Sequence, residues 1–404
     1  MHLLSAKGFV ANGVAAGIKQ SKKNDVGLLV AEEFATAAAA FTTNKVFAAP
    51  IVVGRKHIRT GVLKGVVLNS GNANACTGEQ GIDDAERMCM LAAQLTQVDG
   101  DLFLPSSTGI IGHPLPMDRV CAGVRAAAAD LGDTEAHALA FTDSILTTDT
   151  RRKFAAATVR IGGKKVTLTG ICKGAGMIGP DMKVSGATAP QATMLAFLLT
   201  DAVVPSAVLR TLLKQTVDRS FNCVTIDNHM STNDTAVLMA SGYSEARLTS
   251  AADRKKWLAA LDDVTTSLAQ QIAADGEGAT KTVTVRVRAA ASDLDARKIA
   301  RAIADSPLVK CAMHGNDPNW GRIVSAAGMC GAKFNPDKSK LKLAGTVVYR
   351  NGKPLPFDAA AVSERLKDKQ VLADLHCGLG TAEATVWTCD FSKEYVTINA
   401  DYHT

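Results

Sequence analysis

The chain lacks the signatures that would tie it to metals, disulfides, nucleic acid or membranes. Its nine cysteines are odd in number, scattered from Cys76 to Cys389, and never spaced C-x-x-C. A chain of 404 residues needs no disulfide staples, so a reducing compartment is expected. The eight His include no H-x-x-x-H and no H-E-x-x-H, so no metal site is signalled, and His376-Cys377 reads as packing. Charge of one sign is also scarce: the net charge is only +6. The densest basic clusters, Lys19 to Lys23 and Arg151 to Lys153, are short and without interleaved aromatics. Nucleic-acid binding is therefore not expected, whereas a mildly basic cleft suits an anionic substrate. The most apolar window, Met194 to Val204, is interrupted by Asp201 and too short to span a bilayer. The opening MHLLSAKGFVANG has no apolar stretch of secretory length. A soluble, cytoplasmic protein is the expectation. No Pro/Gly/Ser linker, low-complexity segment or solenoid-type repeat is visible either.

What is present is an ordinary globular composition. Hydrophobic residues make up 47% and charged residues 21%, enough apolar side chain for a sizeable core. The length suggests roughly two or three domains. Short β-rich runs at Asp25 to Val30, Val46 to Val53 and Gly65 to Leu68 are bounded by Gly, Asn and Pro, as strands are. A helix fits Asp83 to Leu95, with Met88, Leu91, Ala92 and Leu95 on one face. Asp101 to Leu104 reads as a strand ending in PSSTGIIG, and helices are expected at Met117 to Asp130 and Glu135 to Phe141. Alternation around Gly162-Gly163 signals a hairpin. Farther on come helices at Ser206 to Val217, Trp257 to Ala274, Asp295 to Ala304 and Ala359 to Leu366. Strands are expected at Thr282 to Arg288, Ala382 to Cys389 and Tyr395 to Asn399, with a hairpin at Asn351-Gly352. Helices and strands alternate throughout, which predicts a layered α/β or α+β architecture with mixed sheets.

Four loops carry residues of chemical interest. Gly174 to Gly179, GAGMIG, matches G-x-G-x-x-G, but Pro180 follows at once and no helical period opens. A dinucleotide loop needs that helix to aim at the pyrophosphate, so this one is set aside. Ser107-Thr108-Gly109 lies where a strand meets a glycine turn, and a Gly N–H with a neighbouring hydroxyl is a donor pair suited to an oxyanion. Ala192-Thr193 stands at the mouth of the apolar run Met194 to Leu199, behind the loose segment Lys183 to Gln191. Scission before Thr193 would leave a Thr whose hydroxyl is a nucleophile and whose α-amine is its base. Lys173 precedes a glycine turn and suits a carboxylate, and Glu277 between two glycines suits an ammonium group.

Taken in order, these motifs resemble the ornithine acetyltransferase family of arginine biosynthesis, the bifunctional glutamate N-acetyltransferases. GFVANGVAAGIK, LNSGNANACTG, SSTGIIG, ILTTDT, KGAGMI, ATMLAFLLTDA, STNDT, GEGATK, NDPNWGR and INADYHT all fall in family order. The likeness covers nearly the whole chain, and SGNANACTG and NDPNWGR are long enough to be specific. It implies a layered αββα-type sandwich with a smaller C-terminal α/β domain from about residue 280, and an autoproteolytic enzyme of N-terminal-nucleophile type. The implied pieces are 1–192 and 193–404, cut between Ala192 and Thr193 and held together as α2β2. The resemblance implies Thr108 and Gly109 as the oxyanion hole and Thr193 as the nucleophile. It implies substrate contacts at Thr150, Lys173, Thr193, Glu277, Asn399 and Thr404. The implied reaction moves an acetyl group from N2-acetylornithine to glutamate, with acetyl-CoA as a second donor, and needs neither metal nor organic cofactor. Two departures from the family pattern stand out: the extra residues Lys183 to Gln191, which also create a second Ala-Thr pair at Ala187-Thr188, and Asn228-His229-Met230 before STNDT. Two alternatives stay in play: an amidase or aminopeptidase that shares the self-processing Thr, and, motivated by these departures, an unprocessed, inactive relative.

Overall fold

The computed structural model describes residues 1–184 and 194–401. These fall into two units, one made of Met1–Asn222 and His229–Ile272, the other of Cys223–Asn228 and the chain from Ala273 onward.

In the first unit the strands are β1 (Phe9–Val14), β2 (Val26–Phe41), β3 (Val62–Asn72), β4 (Phe103–Ile110), β5 (Lys153–Ile161) and β6 (Lys164–Lys173). The two-residue β7 (Lys183–Val184), then β8 (Leu195–Thr200) and β9 (Thr235–Ala240), join the same sheet. Its order is β4-β3-β2-β9-β8-β6-β5, with β1 and β7 also paired to β2. The pairs β3/β4 and β8/β9 are parallel, while β5/β6 and β6/β8 are antiparallel. The hairpin expected at Gly162-Gly163 joins β5 to β6, and both glycines have positive φ, +55° and +81°, as the favoured two-residue turn demands. Every residue of β8 and β9 is buried, which explains why LAFLLT and TAVLMA read as continuous apolar runs rather than alternating ones.

Among the described residues, the α-helices of this part of the chain are α1 (Ala49–His57), α2 (Gly78–Thr96), α3 (Met117–Ala129), α4 (Glu135–Ile145), α5 (Ser206–Arg219) and α6 (Ala251–Ala274). Side chains of β2 alternate between two cores. Leu29 joins Phe141 and Ile145 of α4 with Phe197 and Val237, and the Phe141 and Phe197 rings meet edge-on at 5.6 Å. Val26 and Leu28 join Met88 and Ala92 of α2 with Val120 and Val124 of α3.

Two readings of this region are corrected. Val46 to Val53 is not a strand: α1 begins at Ala49, with Pro50 at its first turn, where the fixed φ of proline is already helical. Ile51 and Val53 are buried along it, so packing of a helix face overrides their β preference. The strand read at Asp101 to Leu104 does not stop at the glycine-rich segment. It runs through Thr108 and Gly109 to Ile110, in parallel register with β3 from Gly65 to Gly71.

The second unit holds β10 (Thr282–Ala290), β11 (Lys340–Leu343), β12 (Thr346–Arg350), β13 (Lys353–Pro354), β14 (Gln370–His376) and β15 (Ala382–Cys389). Their order is β13-β12-β11-β14-β10-β15. Only β10/β14 is parallel, so this sheet is mixed as well. Its helices are α7 (Asp293–Asp305), α8 (Pro307–His314), α9 (Trp320–Met329), α10 (Ala359–Arg365) and α11 (Lys393–Asp401). Ile299 and Ile303 of α7 pack with Val285, Leu341 and Leu375 in one core. The NDPNWGR segment opens α9, whose first turn is capped by Asn319 accepting the Arg322 N–H. Tyr395 to Asn399, expected as a strand, lies instead in α11. There Ser392 Oγ accepts the Tyr395 N–H at 3.4 Å and Thr397 Oγ1 donates to the Lys393 carbonyl at 3.3 Å, local bonds that favour a turn over a ladder. The fold is mixed α/β, as predicted. Among the described residues no helix is long and apolar enough to cross a membrane.

Candidate active site

The parallel pair β3/β4 sets the geometry of Thr108 and Gly109. Ser70 stands opposite Thr108 and Gly71 opposite Gly109, and the register slips at Asn72. Gly109 has φ +134°, and a Cβ there would collide with the backbone of Gly71 and Asn72. Only glycine permits this approach. Thr108 is buried.

The Asn-rich run that follows β3 is tied by its own amides. Ser107 Oγ donates to Asn69 Oδ1 at 2.6 Å and Asn69 Nδ2 donates to the Asn72 carbonyl at 2.8 Å. Asn72 Oδ1 accepts the Asn74 N–H at 2.8 Å, and Asn233 Nδ2 donates to the Ala73 carbonyl at 2.7 Å. Short amide side chains thus satisfy a loop that no ladder satisfies.

Lys173 closes β6 and is buried. Its ammonium donates to Thr108 Oγ1 at 3.3 Å. The ammonium uses the hydroxyl's lone pair, so the hydroxyl proton is left to be given elsewhere. Nearby, Asp149 accepts from Lys153 Nζ at 2.6 Å and from the Gly174 N–H at 2.7 Å. Burial alone would raise the pKa of Asp149, but the Lys173 and Lys153 charges and the Gly174 N–H outweigh it and hold it at about 2.

Asp234, at the entrance to β9, is the opposite case. Burial pushes its carboxyl well above the usual range, opposed only by the Lys173 charge. Neither of its carboxyl oxygens has a hydrogen-bond partner among the described residues. Thr150, next to Asp149, is exposed. Ala192, Thr193 and Thr404 lie outside the described residues. Met194 is buried, and its carbonyl accepts the Thr235 N–H at 2.7 Å.

In the second unit, Glu277 is buried between Gly276 and Gly278. Asn399, exposed on α11, donates from Nδ2 to Glu277 Oε2 at 2.9 Å. Two residues singled out separately are thus brought into contact. Tyr395, one turn earlier, donates from its hydroxyl to Asp227 Oδ2 at 3.3 Å. Burial and the Asp227 charge raise its pKa well above that of an ordinary phenol.

Sequence reasoning missed Asp149 and Asp234. Asp149 carried a faint signal, standing four residues before Lys153 inside TTDT. Asp234 carried none beyond its place in STNDT. Among the described residues no three His, Cys, Asp or Glu side chains are gathered as a metal would need.

The model of the ArgJ family matches residues 10–404. The arginine biosynthesis bifunctional protein ArgJ of Rhodopirellula baltica is 46% identical over 402 residues, covering 98% of this chain and 96% of the relative. That of Symbiobacterium thermophilum is 47% identical over 403 residues, covering 98% of this chain and 97% of the relative. Among solved structures, the ornithine acetyltransferase of Mycobacterium tuberculosis complexed with ornithine is 33% identical, with a TM-score of 0.41, covering 45% of this chain and 95% of that one. By the extent of the family match and the identity of the two ArgJ relatives, the chain belongs to the ArgJ family.

Proposed function

We propose that this protein is an acyltransferase of arginine biosynthesis that moves the acetyl group of N2-acetylornithine to glutamate. The observation that carries the reading lies at the end of β4: a buried threonine hydroxyl next in sequence to a half-buried glycine, with a buried lysine ammonium 3.3 Å from that hydroxyl. Family membership and the co-linear motifs support it.

The chain is first its own substrate. Thr193 Oγ attacks the Ala192 carbonyl carbon, the C–N bond breaks, and the resulting ester is hydrolysed by water. Residues 1–192 keep a new carboxylate and 193–404 begin with a free α-amine. The two pieces stay together in the cytoplasm and assemble as α2β2.

In the transfer reaction Thr193 Oγ attacks the acetyl carbonyl and its proton passes to the Thr193 α-amine. The oxyanion accepts from the Gly109 N–H and the Thr108 hydroxyl, donors typically worth about 3–4 kcal/mol each. Collapse breaks the amide bond, ornithine leaves with the proton, and an acetyl ester remains on Thr193. The amine of glutamate attacks that ester, N-acetylglutamate forms, and the Thr193 hydroxyl is regained. Lys173 holds the α-carboxylate common to both amino acids and Glu277 the ornithine ammonium. Thr150, Asn399 and Thr404 complete the substrate contacts. Acetyl-CoA serves as a second donor through the same ester.

Intact mass on the denatured protein tests the first step: two species, one ending at Ala192, are expected, and Thr193→Ala is expected to give a single full-length chain without transfer. A Thr193→Ala protein that still moved acetyl groups would remove Thr193 as nucleophile. Ornithine release from N2-acetylornithine must depend on glutamate. Release at the same rate without it would make the protein a hydrolase.

A further inference from the structure

The loop between β1 and β2 ends the GFVANGVAAGIK segment with Lys19, a residue to which the mechanism above gives no task. Asp25 shapes this loop: its carboxylate accepts the N–H groups of Ala16 at 2.6 Å, Ile18 at 2.7 Å and Lys19 at 2.9 Å. The loop is thereby pressed onto Gly71, the residue opposite Gly109. Gly71 has φ +96°, and a Cβ there would stand 3.1 Å from Lys19 Cγ and 3.4 Å from Lys19 N. Lys19, Gly71 and Gly109 therefore lie in consecutive contact. The Lys19 ammonium donates to the Asn24 carbonyl at 2.7 Å. Asn24 is itself fixed through Nδ2 to the carbonyls of Gly13 at 3.0 Å and Ala140 at 3.2 Å.

Three lysines are associated with this region of the first unit, and they are not equivalent. Lys153 is matched by Asp149 at 2.6 Å. Lys173 donates to Thr108. Lys19 is half-buried and, among the described residues, holds a backbone carbonyl and no carboxylate at ion-pair distance. Burial is the main reason its pKa falls to about 8. The charge of Lys173 adds to that fall, while Asp25, Asp149 and Asp143 oppose it. A held ammonium without a carboxylate is a receptor for one.

The two substrates share an α-carboxylate and differ at the far end, where ornithine carries an ammonium and glutamate a second carboxylate. That second carboxylate has no partner among the residues assigned so far. We propose that Lys19 recognises the γ-carboxylate of the acceptor glutamate and so sets acceptor specificity in the transfer reaction. The inference rests on the acetyl-transfer reading given above. The partly lowered proton affinity suits the alternation: a Lys19 that gives up its proton readily tolerates the ornithine ammonium, and an arriving carboxylate restores the charge.

Steady-state kinetics on the processed enzyme decide it, with N2-acetylornithine as donor and either glutamate or norvaline, which lacks the γ-carboxylate, as acceptor. Lys19→Met is expected to raise KM for glutamate by about ten-fold or more, the loss of one charged contact. KM for the donor is expected to move by less than about three-fold on the same scale, and the preference for glutamate over norvaline to collapse. Lys19→Arg keeps the charge and is expected to restore that preference. In the unmodified enzyme KM for glutamate should climb as pH passes about 8, and in Lys19→Arg this climb should vanish. Equal loss toward donor and acceptor, or undiminished preference for glutamate in Lys19→Met, would overturn the assignment and leave Lys19 as a brace for its loop. Absence of any glutamate-dependent ornithine release in the unmodified protein would instead defeat the acetyl-transfer reading itself, and this inference with it.

Discussion

Lys153 reaches Asp149 at 2.6 Å with both side chains wholly withdrawn from solvent. Removing one partner leaves a buried charge uncompensated, so Asp149→Asn is expected to destabilise the fold by about 3–5 kcal/mol. Chemical denaturation at pH 7 measures this, and a change below about 1 kcal/mol, the scale of an exposed pair, would show the pair to be solvated.

The same carboxyl sets an acid limit. Its folded pKa of about 2 lies below the ordinary 3.8. The stabilisation is therefore complete above pH 4 and is lost as pH falls toward 2. The amount at stake is roughly 2 kcal/mol. The gap between the unmodified protein and Asp149→Asn should narrow by roughly 2 kcal/mol across that window.

Asp234 behaves in the reverse sense. A carboxyl whose pKa is raised by folding costs nothing below its unfolded pKa and progressively more as pH rises above it. Asp234→Asn removes this cost. Its melting temperature relative to the unmodified protein should therefore increase from pH 4 to pH 8. A difference that is flat with pH would mean the carboxyl is ionised in the fold.

Thr108→Val keeps the volume of the side chain and deletes its hydroxyl. With the Gly109 N–H still in place, kcat is expected to fall by about 10²–10³, while KM for N2-acetylornithine changes little. A loss confined to KM would assign Thr108 to substrate binding instead.

Glu277 and Asn399 share one hydrogen bond, 2.9 Å long. Glu277→Gln is expected to raise KM for N2-acetylornithine about ten-fold, as loss of a charged contact does, and Asn399→Ala less. Because the two touch, the double variant should show less than the sum of the separate losses. Strict additivity would mean that they act independently.

Much of this fold could be read before any coordinates. The β5–β6 hairpin follows from two glycines, β8 from an apolar run bounded by turn residues, and α2, α5 and α7 from their periodicity. Thr108, Gly109, Lys173 and Glu277 announced themselves by glycine neighbours. Val46 to Val53 and Tyr395 to Asn399 deceived because β-branched residues favour strands only where a sheet receives them. One became a helix packed by Ile51 and Val53, the other a helix opened by Ser392. The pairing of Lys173 with Thr108 joins residues 65 positions apart, and that of Asn399 with Glu277 joins residues 122 apart. No local pattern encodes either. The role proposed for Lys19 was equally hidden, since it depends on Asp25 bending a loop onto Gly71.

The strand order of the first sheet bears on how the protein must be made. β8 and β9 come after residue 193, yet they lie between β2 and β6, which come before it. Neither 1–192 nor 193–404 could close this sheet alone, because each would leave long apolar edges open to aggregation. Separate synthesis of the two pieces should therefore give insoluble products, and mixing them should not restore the enzyme. On the scission proposed above, the uncut chain is in effect an internal chaperone, needed once for assembly and dispensable afterwards.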